Sequence, residues 1–202
     1  MKKTIHLVTV LLLLACAATA QTKQDSLDLR RDMETYKRVS LNIEYDSLVY
    51  FMPPAMFAIV PKEDIKEQLR SAFENEIVKI GFEQFDYKNL TPVGKTGEHL
   101  YAIVPYDAAM TMTLTDTSDS ATVGMVLVAM QMQFGSKNVE QRPDKSMFIK
   151  TPDKQMIAIK SPEHDSWKFI EDKRKGEAPG DAQTQQLVDM VIPKEVLDAT
   201  KQ

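Results

Sequence analysis

The stretch His99–Leu114, HLYAIVPYDAAMTMTL, predicts one long β-strand. Towards its end the apolar side chains of Met110, Met112 and Leu114 alternate with threonines, and a period of two is typical of a half-buried strand. Pro105 has no backbone N–H to give to a neighbouring strand. We therefore expect this strand to lie at the edge of a sheet or to carry a β-bulge near Pro105.

Apolar periodicity on both sides of this strand predicts helices and further strands. The clearest helix begins at Pro61, because proline suits the first helical position and the acidic Glu63 and Asp64 favour the positive end of the helix dipole. The apolar segment Ala55–Val60 just before it is expected to be buried. The other expected elements are a helix from Leu27 to about Val39, a strand within Ile77–Leu90, a helix over Ala121–Phe134 that stops at Gly135, short strands near Ser146–Lys150, Gln155–Lys160 and Trp167–Asp172, and a final helix from Asp181.

Several proline-containing stretches mark boundaries between these elements. Thr151-Pro152-Asp153 is expected to separate two of the short strands, and Pro193 is expected to break or kink the final helix. Two stretches, Val60-Pro61-Lys62-Glu63 and Ile192-Pro193-Lys194-Glu195, have the same order of residue types: an aliphatic residue, proline, lysine and glutamate. We interpret both as helix starts, because each places an acid after proline in a first turn.

The first 20 residues, MKKTIHLVTVLLLLACAATA, are typical of a cleavable export signal, with a positive start, an apolar segment and the cleavage site Ala18-Thr19-Ala20. The sequence thus predicts a signal peptide over 1–20, a flexible N-terminus over 21–26 and one domain over 27–202, in a periplasmic or secreted protein. Alternatively, Leu13-Leu14-Ala15-Cys16 is similar to a bacterial lipobox, and lipidation of Cys16 would make the protein a membrane-anchored lipoprotein. No later stretch is long and apolar enough to span a bilayer, so we expect no integral membrane protein.

The composition argues against several classes of protein. The formal net charge is −4, and it becomes more negative when Lys2 and Lys3 leave with the signal, so we expect no nucleic-acid partner. Cys16 is the only cysteine, and His99 and His164 are the only histidines after residue 20. These counts argue against a disulfide framework, a cysteine nucleophile and a Cys/His zinc site.

The methionines suggest an apolar lining more than a metal site. The chain has 12 methionines, and the spacing Met-x-Met occurs at Met110-Thr111-Met112 and at Met130-Gln131-Met132. Thioethers suit Cu(I), but no histidine or cysteine accompanies these pairs. We therefore predict no metal and no other cofactor, and we expect the methionines to line a core or an apolar pocket.

Acid–base candidates are few and scattered. They are Asp46, Tyr50, Tyr101, Tyr106 and Asp107, and Asp46 and Tyr50 lie one turn apart if their segment is helical. Surface positions and half-buried packing explain these residues more simply, so we predict no catalytic residue. The chain also lacks a Gly-x-Ser-x-Gly nucleophile motif and a glycine-rich phosphate loop.

Several local patterns together carry a family resemblance: Phe51-Met52-Pro53-Pro54 leading into Phe57, the strand Tyr101–Tyr106, Ala158-Ile159-Lys160 and Trp167-Lys168-Phe169-Ile170. The chain resembles exported bacterial proteins of the nuclear-transport-factor-2-like superfamily, also called SnoaL-like or cystatin-like. The resemblance covers roughly Leu27 to Ala199. It implies an α+β fold in which a curved antiparallel sheet wraps around N-terminal helices and forms a cone, whose open end is often a ligand pocket.

The resemblance does not fix a function, because the superfamily contains both enzymes and non-catalytic binding modules. We expect an exported non-catalytic domain that binds a small apolar ligand or a protein partner, and a homodimer is one form of such a partner. One alternative is a small pocket enzyme of isomerase, dehydratase or hydrolase type that uses a carboxylate and a tyrosine. Another is an assembly module tethered to the cell envelope. The residues expected to line the pocket are Tyr50, Phe57, Tyr101, Met110, Met112 and Trp167.

Overall fold

Six antiparallel strands form one curved sheet, which is combined with helices in an α+β fold as the sequence predicts. The structure, a computed structural model, describes residues 23–115, 120–172 and 181–201. The predicted signal peptide with Cys16 lies outside the described residues, as does most of the predicted loop over 172–180. In chain order the elements are α1 (described over residues 23–41), α2 (Tyr45–Tyr50), a 3-10 helix (Pro54–Ala58), α3 (Lys62–Phe73), β1 (Val78–Tyr87), β2 (Gly94–Thr96), β3 (His99–Leu114), α4 (Ser120–Phe134), a second 3-10 helix (Ser136–Asn138), β4 (Val139–Gln141), β5 (Met147–Lys160), β6 (Lys168–Glu171), α5 (Asp181–Val191) and α6 (Lys194–Ala199).

The long strand predicted over His99–Leu114 is confirmed, and of the two expected positions for it, at the sheet edge or at a β-bulge, the edge position is wrong. β3 is a central strand, because it pairs with β1 on one side and with β5 on the other. Pro105 is tolerated because β1 ends at Tyr87, and the carbonyl of Pro105 accepts a hydrogen bond from the N–H of Lys88 just beyond that end. In an antiparallel pair, the N–H and the C=O of one residue point towards the same neighbouring strand. The N–H that Pro105 lacks would therefore point towards Lys88, beyond the end of β1, and no ladder hydrogen bond of β1 is lost.

Each of the strands that flank β3 contains one extra residue, in a β-bulge. On β1, Phe82 and Gln84 pair with consecutive residues of β3, which leaves Glu83 unpaired. On β5, Thr151 and Lys154 pair with residues of β3 that flank Asp107, so two residues of β5 face one of β3. A bulge therefore lies beside Pro105, as the sequence suggested, but its extra residue belongs to the partner strand.

The two short strands predicted near Ser146–Lys150 and Gln155–Lys160 are one strand, which corrects the sequence prediction. β5 runs through Pro152 and Asp153 without interruption, and Asp153 adopts a positive φ of 57° at the bulge. The backbone N–H of Asp153 donates to the Asp107 carboxylate at 2.8 Å, and this bond ties the bulge to β3. The turn-forming residues thus bend the strand and do not end it.

The segment Ala55–Val60 is only partly buried, so its predicted burial is also wrong. Met56 is buried, whereas Ile59 is 45% exposed. The segment forms the 3-10 helix Pro54–Ala58 at the surface, and a short helix of this kind turns only one of its sides towards the core.

The helices agree with the sequence prediction in kind and differ in a few boundaries. Pro61 and Pro193 are the N-caps of α3 and α6, so both repeated proline stretches are helix starts, and Pro193 ends the preceding helix. Gly135, with a φ of 86°, follows α4. Helix α1 includes residues 23–26, which the sequence placed in a flexible N-terminus, and Asp25 in this turn is buried.

Three clusters of buried side chains hold these elements together. The first joins α1 and α2 to β1, β3, β5 and β6, and it contains Trp167 and the alternating Ala102, Val104 and Tyr106 of β3. The second joins α5 and α6 to β5 and β6 through side chains such as Ile157. The third packs α4 against β3, β4 and β5. Met156 and Ile157 belong to different clusters, so β5 is buried on both faces.

Helix α4 has 15 residues and no charged side chain. Its outer face is apolar, with Met125, Val128 and Met132 exposed by 67%, 54% and 84%. Among residues 23–115, 120–172 and 181–201, no helix combines the length and the apolar character needed to cross a bilayer.

The bulge residue Glu83 forms the best-aligned ion pair on the outside of the sheet. Its two carboxylate oxygens accept from the Arg142 guanidinium at 2.6 and 2.8 Å, and the Thr111 hydroxyl donates to the same group. These partners, above all Arg142, lower the pKa of Glu83 from 4.5 to about 2. The depressed pKa means that the folded state binds this proton less readily than the unfolded chain does.

We therefore expect Glu83→Gln to reduce the dependence of stability on pH. The ionised Glu83 carboxylate contributes to the free energy of unfolding. This contribution is fully present above pH 4.5 and is lost as the pH falls from 4.5 through about 2. Urea unfolding at a series of pH values measures the difference between wild type and variant. The difference should shrink on acidification; a difference that stays constant between neutral pH and pH 3 would contradict the role of this pair.

Candidate functional site

A cavity of about 350 Å³ lies between the helices and the sheet. Helices α2, α3 and α4 contribute apolar side chains to its wall, and so do strands β1, β3, β5 and β6. Most of the wall is apolar or aromatic, as is common for small-molecule sites. The lining side chains are Tyr36, Ser40, Leu48, Met52, Met56, Leu69, Phe73, Phe82, Phe85, Tyr106, Ala108, Met110, Phe134, Thr151, Lys154, Met156, Phe169, Ile170 and Glu171.

The two β-bulges decide which side chains face this cavity. Phe82 and Phe85 both line it, although Phe85 comes three positions after Phe82 in the chain. Thr151 and Lys154 have the same spacing, and both also line the cavity. In a regular strand such residues point to opposite faces. Each pair flanks an extra residue in the register with β3, so each bulge keeps the side chains before and after it on the cavity side.

Aromatic rings form the part of the wall nearest α1. The ring of Tyr36 lies 5.0 Å from that of Phe169, 5.8 Å from that of Phe51 and 6.0 Å from that of Phe85. Tyr106 stacks on Phe85 with centroids 4.7 Å apart and nearly parallel planes. These mutual contacts are the edge-to-face and stacked arrangements that stabilise aromatic pairs, so the rings of this part of the wall support one another.

Polar groups converge on the same part of the cavity. Lys154 and Glu171 come from paired strands, and the lysine Nζ lies 4.0 Å from the glutamate Oε1. Burial raises the pKa of Tyr36 to about 12, while a hydrogen bond with Ser40 lowers it and the charge of Glu171 raises it further. Burial, followed by Glu171, also raises the pKa of Tyr106. Both phenols are therefore protonated at neutral pH and can donate hydrogen bonds.

Of the six residues predicted to line a pocket, Met110 lines this cavity. Met112 packs against the cluster beneath α4, and Phe57 and Tyr101 pack against the cluster beneath α5 and α6. Trp167 is 0% exposed within the first cluster and does not line this cavity.

The sixth predicted lining residue, Tyr50, is 53% exposed, and the Lys168 ammonium lies 4.0 Å from the centre of its ring. Helix α2 includes both Tyr50 and Asp46, but Asp46 pairs with Lys66 at 2.7 Å. Asp107 pairs with Lys88 at 2.8 Å on the surface. Among the acid–base candidates, Tyr106 thus belongs to the cavity and these carboxylates do not.

The methionines of the two Met-x-Met stretches differ in their exposure, and three of them, Met110, Met112 and Met130, pack against the cluster beneath α4. Met110 and Met112 are half-buried on β3, Met130 is half-buried on α4, and Met132 on α4 is 84% exposed. Within the described part of the chain, no three histidine, cysteine or acidic side chains form a group that could hold a metal ion.

Tyr36, Ser40, Lys154 and Glu171 were missed as site residues. The alternation in β6 puts Phe169 and Glu171 on one face, so the sequence held a signal for Glu171. Lys154 follows the bulge, and simple alternation from Thr151 would assign it to the wrong face. What the cavity binds must be inferred from these side chains themselves, because a scan against protein-family models and a search of curated proteins both find no match to the chain.

Proposed function

We propose that this chain is an exported, non-catalytic domain that binds a small, mostly apolar ligand inside a cystatin-like cone. The observation that carries the proposal is the cavity of about 350 Å³, whose wall is built from aromatic, methionine and aliphatic side chains. Its volume lies within the range typical of small-molecule sites. Methionine side chains adapt their shape to apolar ligands of varied outline, and four of them, Met52, Met56, Met110 and Met156, line this wall.

The polar side chains favour a ligand with one polar end. The hydroxyls of Tyr36 and Tyr106 belong to a mostly apolar wall, and Lys154 and Glu171 lie together there as an ion pair. A few polar groups among many apolar ones fix the orientation of a ligand, whereas the apolar area supplies most of the affinity. An elongated apolar molecule with a terminal hydroxyl, carbonyl or carboxylate group fits this distribution.

Filling part of the cavity should weaken ligand binding. Ala108 lines the cavity and is buried, so we expect Ala108→Leu to occupy part of the ligand's space and to weaken binding about tenfold or more. The measurement is a fluorescence titration of the full chain with a dansyl-labelled medium-chain fatty acid. The added methylene groups also fill empty volume, so the variant should remain folded by circular dichroism.

Ala129→Leu is the matched control, because Ala129 is exposed on α4 and does not line the cavity. This variant should bind the probe as the wild type does. Equal weakening in both variants, or tight probe binding in Ala108→Leu, would contradict ligand binding in the cavity.

A pocket enzyme is the second candidate, and one observation favours it. Glu171 lies on the same cavity wall as two protonated tyrosines, Tyr36 and Tyr106. A carboxylate could take a proton from a bound ligand while a phenol donates to its carbonyl oxygen. Glu171 is already engaged in an ion pair with Lys154, and most of the cavity wall is apolar, so binding is the better-supported function. Mass analysis of ligands recovered after incubation distinguishes the two: an unchanged ligand supports binding, and a converted one supports the enzyme.

A further inference from the structure

The structure brings His99 and His164 to one surface pocket, although neither had a partner in the sequence pattern. The pocket has a volume of about 300 Å³ and shares no lining residue with the larger cavity. The register Leu100 with Lys160 puts His99 opposite Ser161, and the His99 Nδ1 lies 2.9 Å from the Ser161 Oγ. The second ring nitrogen, Nε2, faces the Glu195 carboxylate at 3.8 Å.

Lys168 is the buried cation of this pocket. It is 7% exposed, and its ammonium donates to the Tyr50 carbonyl at 2.7 Å and to the Ser166 hydroxyl at 3.0 Å. An ammonium group has three N–H donors, and these two bonds use two of them, while the ring of Tyr50 lies 4.0 Å from the ammonium without supplying a counter-charge. Among the described residues no carboxylate lies within 4.0 Å of it, although Asp32 acts on it from further away.

A buried charge without a close counter-charge is costly, and this cost is visible at Lys168. Burial lowers the pKa of Lys168, and the charge of Asp32 only partly offsets the effect. An anion that enters the pocket would supply the missing counter-charge. The imidazoles of His99 and His164, which also line the pocket, are further hydrogen-bonding groups for such an anion.

The rest of the pocket wall suits a short apolar group. Six of its lining residues are aliphatic or proline, and Glu163 is an exposed acid among its lining residues. The ligand therefore needs an apolar body of a few carbon atoms next to its anionic group. The apolar lining residues are Pro53, Pro54, Ala55, Ile159, Val191 and Pro193.

We propose that this pocket binds a small carboxylate with a short apolar body, and that Lys168 holds the carboxylate group. Two sources have this chemistry, a free carboxylic acid and an α-amino acid. The α-amino acid has an ammonium group that the free carboxylic acid lacks, and Glu163 could bind this group. The site is independent of the proposed function, since it uses other residues and another kind of ligand.

Isothermal titration calorimetry of the full chain tests the proposal with three probes of one shape: isocaproate, leucine and isopentylamine. Isocaproate and leucine should both bind, and isopentylamine should not, because it has no carboxylate. Binding of leucine in preference to isocaproate identifies an amino acid as the source, and Glu163→Gln should then remove that preference. Binding of isopentylamine alone, or of none of the three, overturns the proposal.

Lys168→Met keeps the apolar stem and removes the charge, so it should weaken isocaproate binding by about 30-fold or more. Lys160→Met is the matched control, because Lys160 ends β5 next to Ser161 but does not line the pocket. Equal affinity in Lys168→Met and wild type overturns the role of Lys168.

A wild-type measurement keeps the proposal testable if Lys168→Met does not fold. The chain has three histidines, so the imidazole signals in a nuclear magnetic resonance spectrum are few. Titration with isocaproate should shift the signals of His99 and His164 together. Binding without any shift of either signal places the ligand elsewhere and overturns the proposal.

Discussion

Replacing Trp167 with alanine is expected to lower the free energy of unfolding by about 3–5 kcal/mol. Trp167 is completely buried and belongs to the cluster that joins α1 and α2 to the sheet. Removing its ring leaves a large void among side chains that a rigid sheet prevents from closing in. Urea-induced unfolding followed by far-ultraviolet circular dichroism measures the loss. This method does not depend on tryptophan fluorescence, which the variant lacks because Trp167 is the only tryptophan.

Trp167→Phe is the control for this prediction, and the loss should be clearly smaller. The indole Nε1 has no hydrogen-bond partner among the described atoms, so phenylalanine gives up volume but no hydrogen bond of the side chain. The backbone N–H of residue 167 can still donate to Asp32, as it does at 2.9 Å in the wild type. A phenylalanine variant as unstable as the alanine variant would show that the ring's packing is not the main contribution.

Ile157→Ala is expected to destabilise the fold by about 2–5 kcal/mol without changing the affinity for the cavity ligand. Ile157 is fully buried in the cluster beneath α5 and α6, and it does not line the cavity. Its neighbour Met156 points to the other face of β5 and does line the cavity. Stability and the proposed ligand binding should therefore depend on different, adjacent positions of one strand.

Urea unfolding and the fatty-acid titration, both on the full chain, measure these two properties. Ile77→Ala is the matched control, because Ile77 is 68% exposed and the same deletion there should change stability by less than about 0.5 kcal/mol. Weakened ligand binding in the folded Ile157→Ala protein would mean that the two faces of β5 are coupled.

The sequence predicted the elements well where local chemistry alone determines them. The alternation of His99–Leu114, the proline before each of α3 and α6, and the glycine after α4 are local signals, and the structure has the expected element at each. These signals need no knowledge of neighbouring strands. Residue type and spacing are therefore sufficient for them.

The errors concern properties that depend on pairing between distant segments. Pro105 is typical of an edge strand, but its missing donor is harmless because β1 ends beside it. Thr151-Pro152-Asp153 is typical of a loop, but pairing with β3 keeps it within one strand. The predicted burial of Ala55–Val60 is wrong because apolar composition does not show which side of a surface helix faces the core.

The candidate site was the least predictable part, because no single segment contains it. Tyr36 comes from α1, Tyr106 from β3, Lys154 from β5 and Glu171 from β6. None of these residues is unusual in its own stretch, and only the register of the sheet brings them together. The same holds for His99 and His164, which lie 65 positions apart in the printed sequence and line one pocket.

The bulges at Glu83 and at Pro152-Asp153 have a consequence for how this chain can change its length over evolution. Loss of the extra residue from either bulge would leave Phe82 and Phe85, or Thr151 and Lys154, two positions apart, so the register with β3 and the cavity-facing side chains would be kept. Loss or gain of one residue elsewhere in β1 or β5 would shift the register by one and exchange inward and outward side chains over the rest of that strand. Within these two strands, length changes of one residue should therefore be tolerated at the bulges and be far more damaging than substitutions elsewhere.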